Sequence, residues 1–211
     1  MPTHSPRDFT RTPPARNLLK TFSAVNATPG TGIAEAIKTS FAATAATLIL
    51  RNPSAEMLYR PQYIRLINTV APASATRSEG LIVVDTGATR YSSGTTALGT
   101  PANRDMKSSV ASEAVIRFGA LVTGAATANE RRHSRFQVKN AIIVAFEEVV
   151  IVFDKDCHIN GSSATGLRQV VDVGPLLIGP SQEMILHLWH PANAATPPQW
   201  EVEVTWTEAR K

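Results

Sequence analysis

The stretch Gln199–Thr207, which reads Gln-Trp-Glu-Val-Glu-Val-Thr-Trp-Thr, decides the fold that this chain can adopt. Its even positions are apolar and its odd positions are polar, with Trp200 and Trp206 at the two ends of the apolar set. Successive side chains of a strand point to opposite faces, so this alternation predicts a half-buried antiparallel strand. Two indole rings on one short strand need a wide apolar surface, so we expect the strand to form one wall of a β-sandwich.

Apolar runs separated by turn residues predict about nine or ten strands and almost no helix. The predicted strands are, in chain order, Phe41–Leu50, Gln62–Val70, Leu81–Val84, Ala111–Thr123, Ala141–Phe146, Val149–Phe153, Leu167–Val173, Leu176–Ile178, Glu183–His190 and Gln199–Thr207. Ile33–Lys38 could start a short helix, and Asp85–Lys107 is predicted to be one long loop. Such uneven connections favour a Greek-key or jelly-roll topology. The sequence therefore predicts an all-β fold, a single antiparallel, jelly-roll-like β-sandwich over residues 33–211.

Length and composition limit the class of protein. A chain of 211 residues can bury one core without covalent cross-links, and its one cysteine excludes an intrachain disulfide framework. The net charge of +4 is too small to indicate nucleic-acid binding by the whole surface. No apolar run approaches the length of a membrane-spanning helix, and the first residues lack the apolar core of a signal peptide. We expect a soluble protein that is made in a cytoplasm and does not contact a membrane.

Residues 1–32 are predicted to form an extended basic arm outside the core. Prolines and glycines interrupt regular structure there, and the arm carries Arg7, Arg11, Arg16 and Lys20 against one acid, Asp8. One interpretation is a solvated tail. The other is an arm that contacts a neighbouring subunit or a polyanion, and Leu18, Leu19 and Phe22 favour a protein surface because water would leave them uncovered.

The segment Val83–Ala88, Val-Val-Asp-Thr-Gly-Ala, resembles the active-site turn of retroviral-type aspartic proteases. The resemblance implies that Asp85 is catalytic and shares a proton with a second carboxylate, which a dimer would supply. That family places a helix after a downstream apolar-apolar-Gly segment, whereas here Glu183–His190 alternates as a strand. The other interpretation is a strand that ends in an Asp/Gly turn.

Two further sets of polar residues are candidates for metal or nucleophile chemistry. The alternating polar residues of the loop Asp154–Gly166 faintly resemble a calcium loop, but the required Gly and Glu positions are occupied by other residues. Cys157 and His158 point apart on extended backbone. His187 and His190 lie on opposite faces of a strand, with His187 predicted to face solvent. We expect no metal site and no cofactor.

The densest basic cluster comprises Arg131, Arg132 and Arg135, with His133 and Lys139 beside them. Charges of this kind protect the edge of a sheet from unwanted strand pairing. They would equally contact an acidic subunit surface or nucleic acid. Nucleic-acid sites usually interleave aromatic residues for stacking, and only Phe136 is nearby in the sequence, so protein contact is preferred. We expect nucleic acid to be contacted, if at all, only through the N-terminal arm.

One stretch resembles virion proteins of bacteriophages. It reads Arg90-Tyr91-Ser92-Ser93-Gly94, then Thr100-Pro101-Ala102-Asn103, then Met106-Lys107-Ser108-Ser109. The C-terminal part, from Gly174-Pro175 through Trp189 to Trp206, is similar to the closing strands of jelly-roll coat and capsid-decorating proteins. The resemblance implies a non-enzymatic structural subunit of a virion, assembled in the host cytoplasm as a homo-oligomer such as a trimer. It also makes Arg90 and Tyr91 candidate contacts to other capsid subunits.

Two alternatives remain open from the sequence. A carbohydrate-binding sandwich of a fibre or spike could stack a sugar ring on Trp189 and on Tyr91 of the predicted loop. An aspartic protease would use Asp85.

Overall fold

The computed structural model describes residues 20–26, 28, 30–37, 41, 43–72, 78–86, 89–93, 97–139, 146–153, 168–190 and 196–211. Within these ranges the chain contains strands and no helix, and the strands form two sheets that pack face to face. The predicted all-β sandwich is therefore confirmed. It follows that the described ranges hold no helix long and apolar enough to cross a lipid bilayer.

The strands are numbered here in chain order. They are β1 (Lys20–Val25), β2 (Ile33–Ala34), β3 (Ala36–Ile37), β4 (Ala45–Arg51), β5 (Met57–Val70), β6 (Ser78–Thr86), β7 (Tyr91–Ser93), β8 (Ala97–Gly99), β9 (Ala102–Asn103), β10 (Val115–Thr123), β11 (Arg131–Lys139), β12 (Glu148–Val152), β13 (Arg168–Asp172), β14 (Gln182–His190) and β15 (Gln199–Arg210).

The first sheet has the strand order β13-β12-β5-β15-β1-β9, and β2 pairs with β15. The second sheet has the order β11-β6-β14-β4-β10-β7, and β3 and β8 pair with β14 and β10. Most neighbours are antiparallel and far apart in the sequence, so β5 lies between β12 and β15. Consecutive strands such as β4, β5 and β6 alternate between the two sheets.

The core lies between the sheets, and β15 forms the middle of the first one. Its apolar set is fully buried, as the alternation predicted: Trp200, Val202, Val204 and Trp206. The same apolar cluster includes Leu48, Ile82 and Leu186 from the second sheet. The ring of Phe22 on β1 stacks on Trp206 with the centroids 5.9 Å apart. The two walls of the sandwich are therefore joined across these indole rings.

The outer face of the second sheet is also covered, which the sequence did not predict. A second apolar cluster lies there, formed by Ala46, Ile49, Leu81, Val83, Leu121, Ile185 and Trp189. Half-buried Phe41 packs against it. Because β14 has apolar neighbours on both faces, His187 is only 1% exposed. The prediction that His187 faces solvent is wrong.

The predicted boundary of the N-terminal arm at residue 32 needs correction. Residues Lys20–Val25 form β1, which pairs with β15 on one side and β9 on the other. Phe22 and Ala24 are buried, while Thr21 and Ser23 alternate with them. The indole of Trp206 supplies the apolar surface that Phe22 requires. The arm therefore cannot extend beyond residue 19.

Smaller differences concern the loops. Ile33–Lys38 is not a helix where it is described, since Ile33–Ala34 and Ala36–Ile37 pair with strands of different sheets. The predicted loop Asp85–Lys107 contains the short strands β7, β8 and β9. The predicted strand Leu176–Ile178 is reduced to one bridge between Ile178 and Tyr59. Residues 141–145 lie outside the described ranges.

Candidate interaction surfaces

β11 carries three of the basic residues predicted to contact a partner, and it is an edge strand of the second sheet. Arg131, Arg132 and Arg135 are all exposed, and we call these three residues the arginine edge. Within the described ranges β11 has one strand neighbour, β6. The arginine edge therefore offers guanidinium groups, beside the backbone groups of an edge strand, to a partner.

The structure places aromatic rings beside the arginine edge, where the sequence suggested only one. The Arg135 guanidinium group is 5.9 Å from the ring of Trp189 and donates to Glu79 Oε2 through Nε at 3.0 Å and through Nη2. The Arg132 guanidinium group is 5.8 Å from the ring of Phe41. These contacts limit the freedom of the two long side chains, so less entropy is lost when a partner binds.

A shallow groove of about 320 Å³ runs beside the arginine edge. Arg131 and Arg132 line one part of it, and Leu176 and Leu177 line another. Leu177 is 55% exposed and adds apolar area to this groove. Exposed apolar area next to guanidinium groups fits a protein partner that carries both acidic and apolar side chains.

Arg90 is not the exposed partner contact that the sequence predicted. Its side chain is 2% exposed, and Nη1 contacts Asp85 Oδ2 at 2.8 Å and Glu130 Oε2 at 2.6 Å. Nε donates to the carbonyl of Gly124 at 3.0 Å and Nη2 to that of Ala43 at 3.1 Å. Arg90 therefore ties four segments of the fold together, and its donors are directed at its own chain.

Asp85 has the environment of a structural carboxylate. Oδ1 accepts from the amide of Thr86 at 2.8 Å and from the hydroxyl of Thr127, while Oδ2 accepts from the amide of Thr127 at 3.1 Å and from Arg90. Burial alone would raise the pKa of Asp85, but these hydrogen bonds outweigh burial and hold the pKa below its ordinary value. Catalysis by a proton-sharing pair of aspartates needs a second carboxyl group in contact with the first, whereas Asp85 is 1% exposed and its two oxygens are bonded to Arg90 and Thr127.

The two aromatic side chains proposed as a sugar platform are not jointly exposed. Trp189 is 5% exposed and lies under Phe41, with the ring centroids 5.6 Å apart. Tyr91 is half-buried, and the guanidinium group of Arg117 lies 3.9 Å from the centre of its ring. A sugar ring cannot stack on Trp189 in this arrangement, and one on Tyr91 would have to displace Arg117.

Glu35 is a buried ionisable group that sequence reasoning missed. It lies where the chain passes from β2 in the first sheet to β3 in the second, and it is 3% exposed. Trp200 Nε1 donates to Oε1 at 2.7 Å, and Ser78 Oγ donates to Oε2 at 2.9 Å. One carboxyl group thus links the two sheets. Burial raises the pKa of Glu35 to about 7, against the lowering effect of the two hydrogen bonds.

His190 lies beside this carboxyl group, on the opposite face of β14 from His187. Its Nδ1 is 4.0 Å from Glu35 Oε2, and neither ring nitrogen has a hydrogen-bond partner among the residues that the structure describes. Burial lowers the pKa of His190 and of His187, so the neutral imidazole is favoured in both. Nδ1 of His187 is 2.6 Å from the carbonyl oxygen of Ala45. In the described ranges no three His, Cys, Asp or Glu side chains are grouped to hold a metal ion.

The outer face of the first sheet carries a groove of about 650 Å³, which we call the outer groove. Outward-facing residues of β1, β5 and β15 form its floor, and the chain from Leu98 to Ala102 forms its side. Val25 and Leu98 are 41% and 59% exposed in it. Glu201, Glu203 and Arg65 are its ionised residues.

A row of alternating charges crosses four strands next to the outer groove. Arg65 Nε contacts Glu148 Oε1 at 2.8 Å, and Arg65 Nη1 contacts Glu203 Oε2 at 3.6 Å. Arg168 Nη2 extends the row to Glu148 at 3.7 Å. The hydroxyl of Tyr63 donates to Glu203 Oε1 at 2.9 Å. These side chains pair with one another, although Arg168 Nε has no hydrogen-bond partner within the described ranges, so this part of the face is polar and largely bonded internally.

Several predicted site residues lie outside the described ranges. They are the arm residues Arg7, Arg11, Arg16, Leu18 and Leu19, and the loop residues of 154–166 that include Cys157. Comparisons of the chain with protein-family models, curated proteins and solved structures gave no match. The functional argument therefore depends on the surfaces described above.

Proposed function

We propose that this protein is a structural subunit of a phage or other viral particle, as shell or decorating protein, and acts through contacts with other subunits. The observation that carries the proposal is the arginine edge, three exposed guanidinium groups on an edge strand beside exposed Leu177. A rigid two-sheet core with such a strand at its border presents a fixed surface to a neighbour, and little ordering is required on binding.

The alternatives receive less support from the geometry. The protease interpretation needs a proton-sharing carboxylate, whereas Asp85 is buried and bonded to Arg90. The carbohydrate interpretation needs exposed rings, whereas Trp189 is 5% exposed. By contrast, the arginine edge lies exposed on the edge strand β11 and supports a contact with another subunit.

Charge reversal on the arginine edge tests the proposal. Arg131→Glu with Arg132→Glu should weaken self-association or attachment to a shell by at least about tenfold per lost charge pair, because buried interfacial charge pairs are worth about 1.5 kcal/mol or more. Arg210→Glu is the matched control, since Arg210 is also exposed but lies on the first sheet. Sedimentation velocity measures the association, and the melting temperature checks the fold. Unchanged association in the double variant would contradict a role for this edge.

A further inference from the structure

The outer groove is an apolar and acidic surface that the described residues leave uncovered. Val25 and Leu98 stand on two sides of it, each with a large exposed fraction. A partner that covers exposed apolar area in a concave surface removes it from water, which is favourable in free energy. Glu201 and Glu203 outnumber Arg65, and Arg65 is already paired with Glu203 at 3.6 Å. A suitable occupant is therefore apolar and positively charged.

Residues 1–19 of this chain have that chemistry. They carry Arg7, Arg11 and Arg16 against the single acid Asp8, and they end in Leu18-Leu19 directly before β1. Leu18 and Leu19 are joined directly to Lys20, so they can meet a neighbouring molecule only where that molecule approaches the start of β1. Two adjacent leucines would cover Val25 and Leu98, and the arginines that precede them would meet the carboxylates.

The pairing of β1 shows which copy supplies the segment. Lys20 pairs with Glu208, at the far end of β15 from the outer groove, and Val25 pairs with Glu203 beside the groove. The five steps from Lys20 to Val25 span about 17 Å. Leu18 lies two residues before Lys20 and can extend at most about 7 Å from it. While β1 remains paired, the leucines of a copy cannot reach the Val25 of that same copy.

We propose that Leu18 and Leu19 of one copy occupy the outer groove of a second copy. This inference rests on the proposed function and specifies the contact that joins the subunits. An arm that enters the groove of the next copy makes a head-to-tail contact, which forms a closed ring when the rotation between copies closes. The trimer implied by the resemblance to virion proteins is one such ring.

Crosslinking between two differently tagged copies tests the proposal. One copy carries Leu19→Cys and the other carries Leu98→Cys, both with Cys157→Ser so that the introduced thiols are the only ones. The control partner carries Val122→Cys on β10 of the second sheet, since Val122 is 46% exposed and Leu98 is 59% exposed. With a short thiol-to-thiol crosslinker we expect the Leu98→Cys copy to react about tenfold faster than the control, because docking raises the local thiol concentration.

The outcomes separate this inference from the proposed function. Equal crosslinking of both partners, in a protein that still sediments as an oligomer, overturns the arm contact and leaves the particle role standing. A crosslink formed within one chain that carries both Leu19→Cys and Leu98→Cys overturns the assignment to a second copy. A protein that is monomeric in sedimentation and does not crosslink contradicts both.

A pair of surface variants gives an independent measurement. Val25→Lys should weaken self-association about tenfold, because it removes an apolar contact and places a cation beside the arginines of the arm. Val170→Lys on β13 is the matched control, since Val170 is 39% exposed and Val25 is 41% exposed. Circular dichroism verifies that both variants are folded. Equal association of the two variants overturns the proposal.

Discussion

The carboxyl group of Glu35 should make the stability of the sandwich depend on pH. Burial raises its pKa from 4.5 to about 7 in the folded chain, while the unfolded chain keeps the ordinary value. Between these two pKa values, the Glu35 carboxyl group therefore holds a proton in the folded state that it has released in the unfolded state. Stability contributed by this group is complete below about pH 4.5 and is lost as the pH rises towards 7. At about 1.4 kcal/mol per pKa unit, the loss amounts to about 3 kcal/mol.

Glu35→Gln isolates this effect, because glutamine is neutral at every pH and keeps an oxygen for the indole N–H of Trp200. The hydroxyl of Ser78 can rotate to accept from the new amide group. The unfolding free energy of the variant minus that of the natural chain should rise by about 3 kcal/mol as the pH increases from about 4 to about 8.5. His190 titrates in both chains. Folding lowers the pKa of His190, so this residue contributes stability above its ordinary pKa and loses that contribution as the pH falls. Because both chains carry His190, the contribution largely cancels when their unfolding free energies are subtracted.

Urea unfolding at a series of pH values, followed by tryptophan fluorescence, measures the difference, since all three indoles are buried. Glu201→Gln is the control for removal of one negative charge, because Glu201 lies on β15 next to Trp200 but faces outward. The reasoning is refuted if Glu35→Gln and the natural chain show the same pH dependence. It is also refuted if Glu201→Gln reproduces the effect of Glu35→Gln.

Three further sets of variants test the contacts that hold the fold. Arg90→Leu should destabilise the chain by about 3–5 kcal/mol, because it leaves buried Asp85 without its cation. A second change, Asp85→Leu, should restore part of this loss, and urea unfolding measures both effects. Deletion of residues 1–19 should preserve the cooperative melting transition, whereas deletion of 1–25 should cost at least about 3 kcal/mol, since it removes β1 from between two strands. Gly80→Ala should cost about 1–3 kcal/mol, because a Cβ there would lie 2.3 Å from the ring of Phe136; a melting temperature equal to that of the natural chain would contradict this.

The sequence predicted the elements whose environment is set by local alternation. β15 is an example, since the period of two in Gln199–Thr207 places both tryptophans in the core. The arginine edge is another, because dense charge on an extended segment is incompatible with the middle of a sheet. Phe22 and Ala24 alternate with polar neighbours in the same way. The prolines before them conceal this signal, so the sequence alone predicts that β1 belongs to the arm.

The buried ionic groups could not be predicted because their partners come from distant parts of the chain. Arg90 lies in a segment that resembles a contact loop, but its burial depends on Glu130 and on the carbonyl oxygens of Ala43 and Gly124. Glu35 has a weak local signal, a single acid between apolar residues 33–34 and 36–37. Only the pairing of its two flanking strands with different sheets shows why a carboxyl group is buried there.

His187 shows where alternation is not enough. Its face relative to Leu186 and Leu188 follows from the period of two, but the exposure of that face depends on what covers the sheet. The ring of Phe41, 5.1 Å from the His187 ring, lies on this face from a remote part of the chain. The face of the sheet on which a strand residue lies can therefore be predicted from the sequence, whereas its burial can be determined only from the tertiary structure.

Sedimentation of the full-length protein over a wide concentration range, with negative-stain imaging of the same samples, tests most directly whether it is a particle subunit. The proposed function predicts discrete oligomers or closed shells that dissociate when Arg131 and Arg132 are both changed to glutamate. A protein that remains monomeric at every concentration, and that does not bind to a shell, would contradict it.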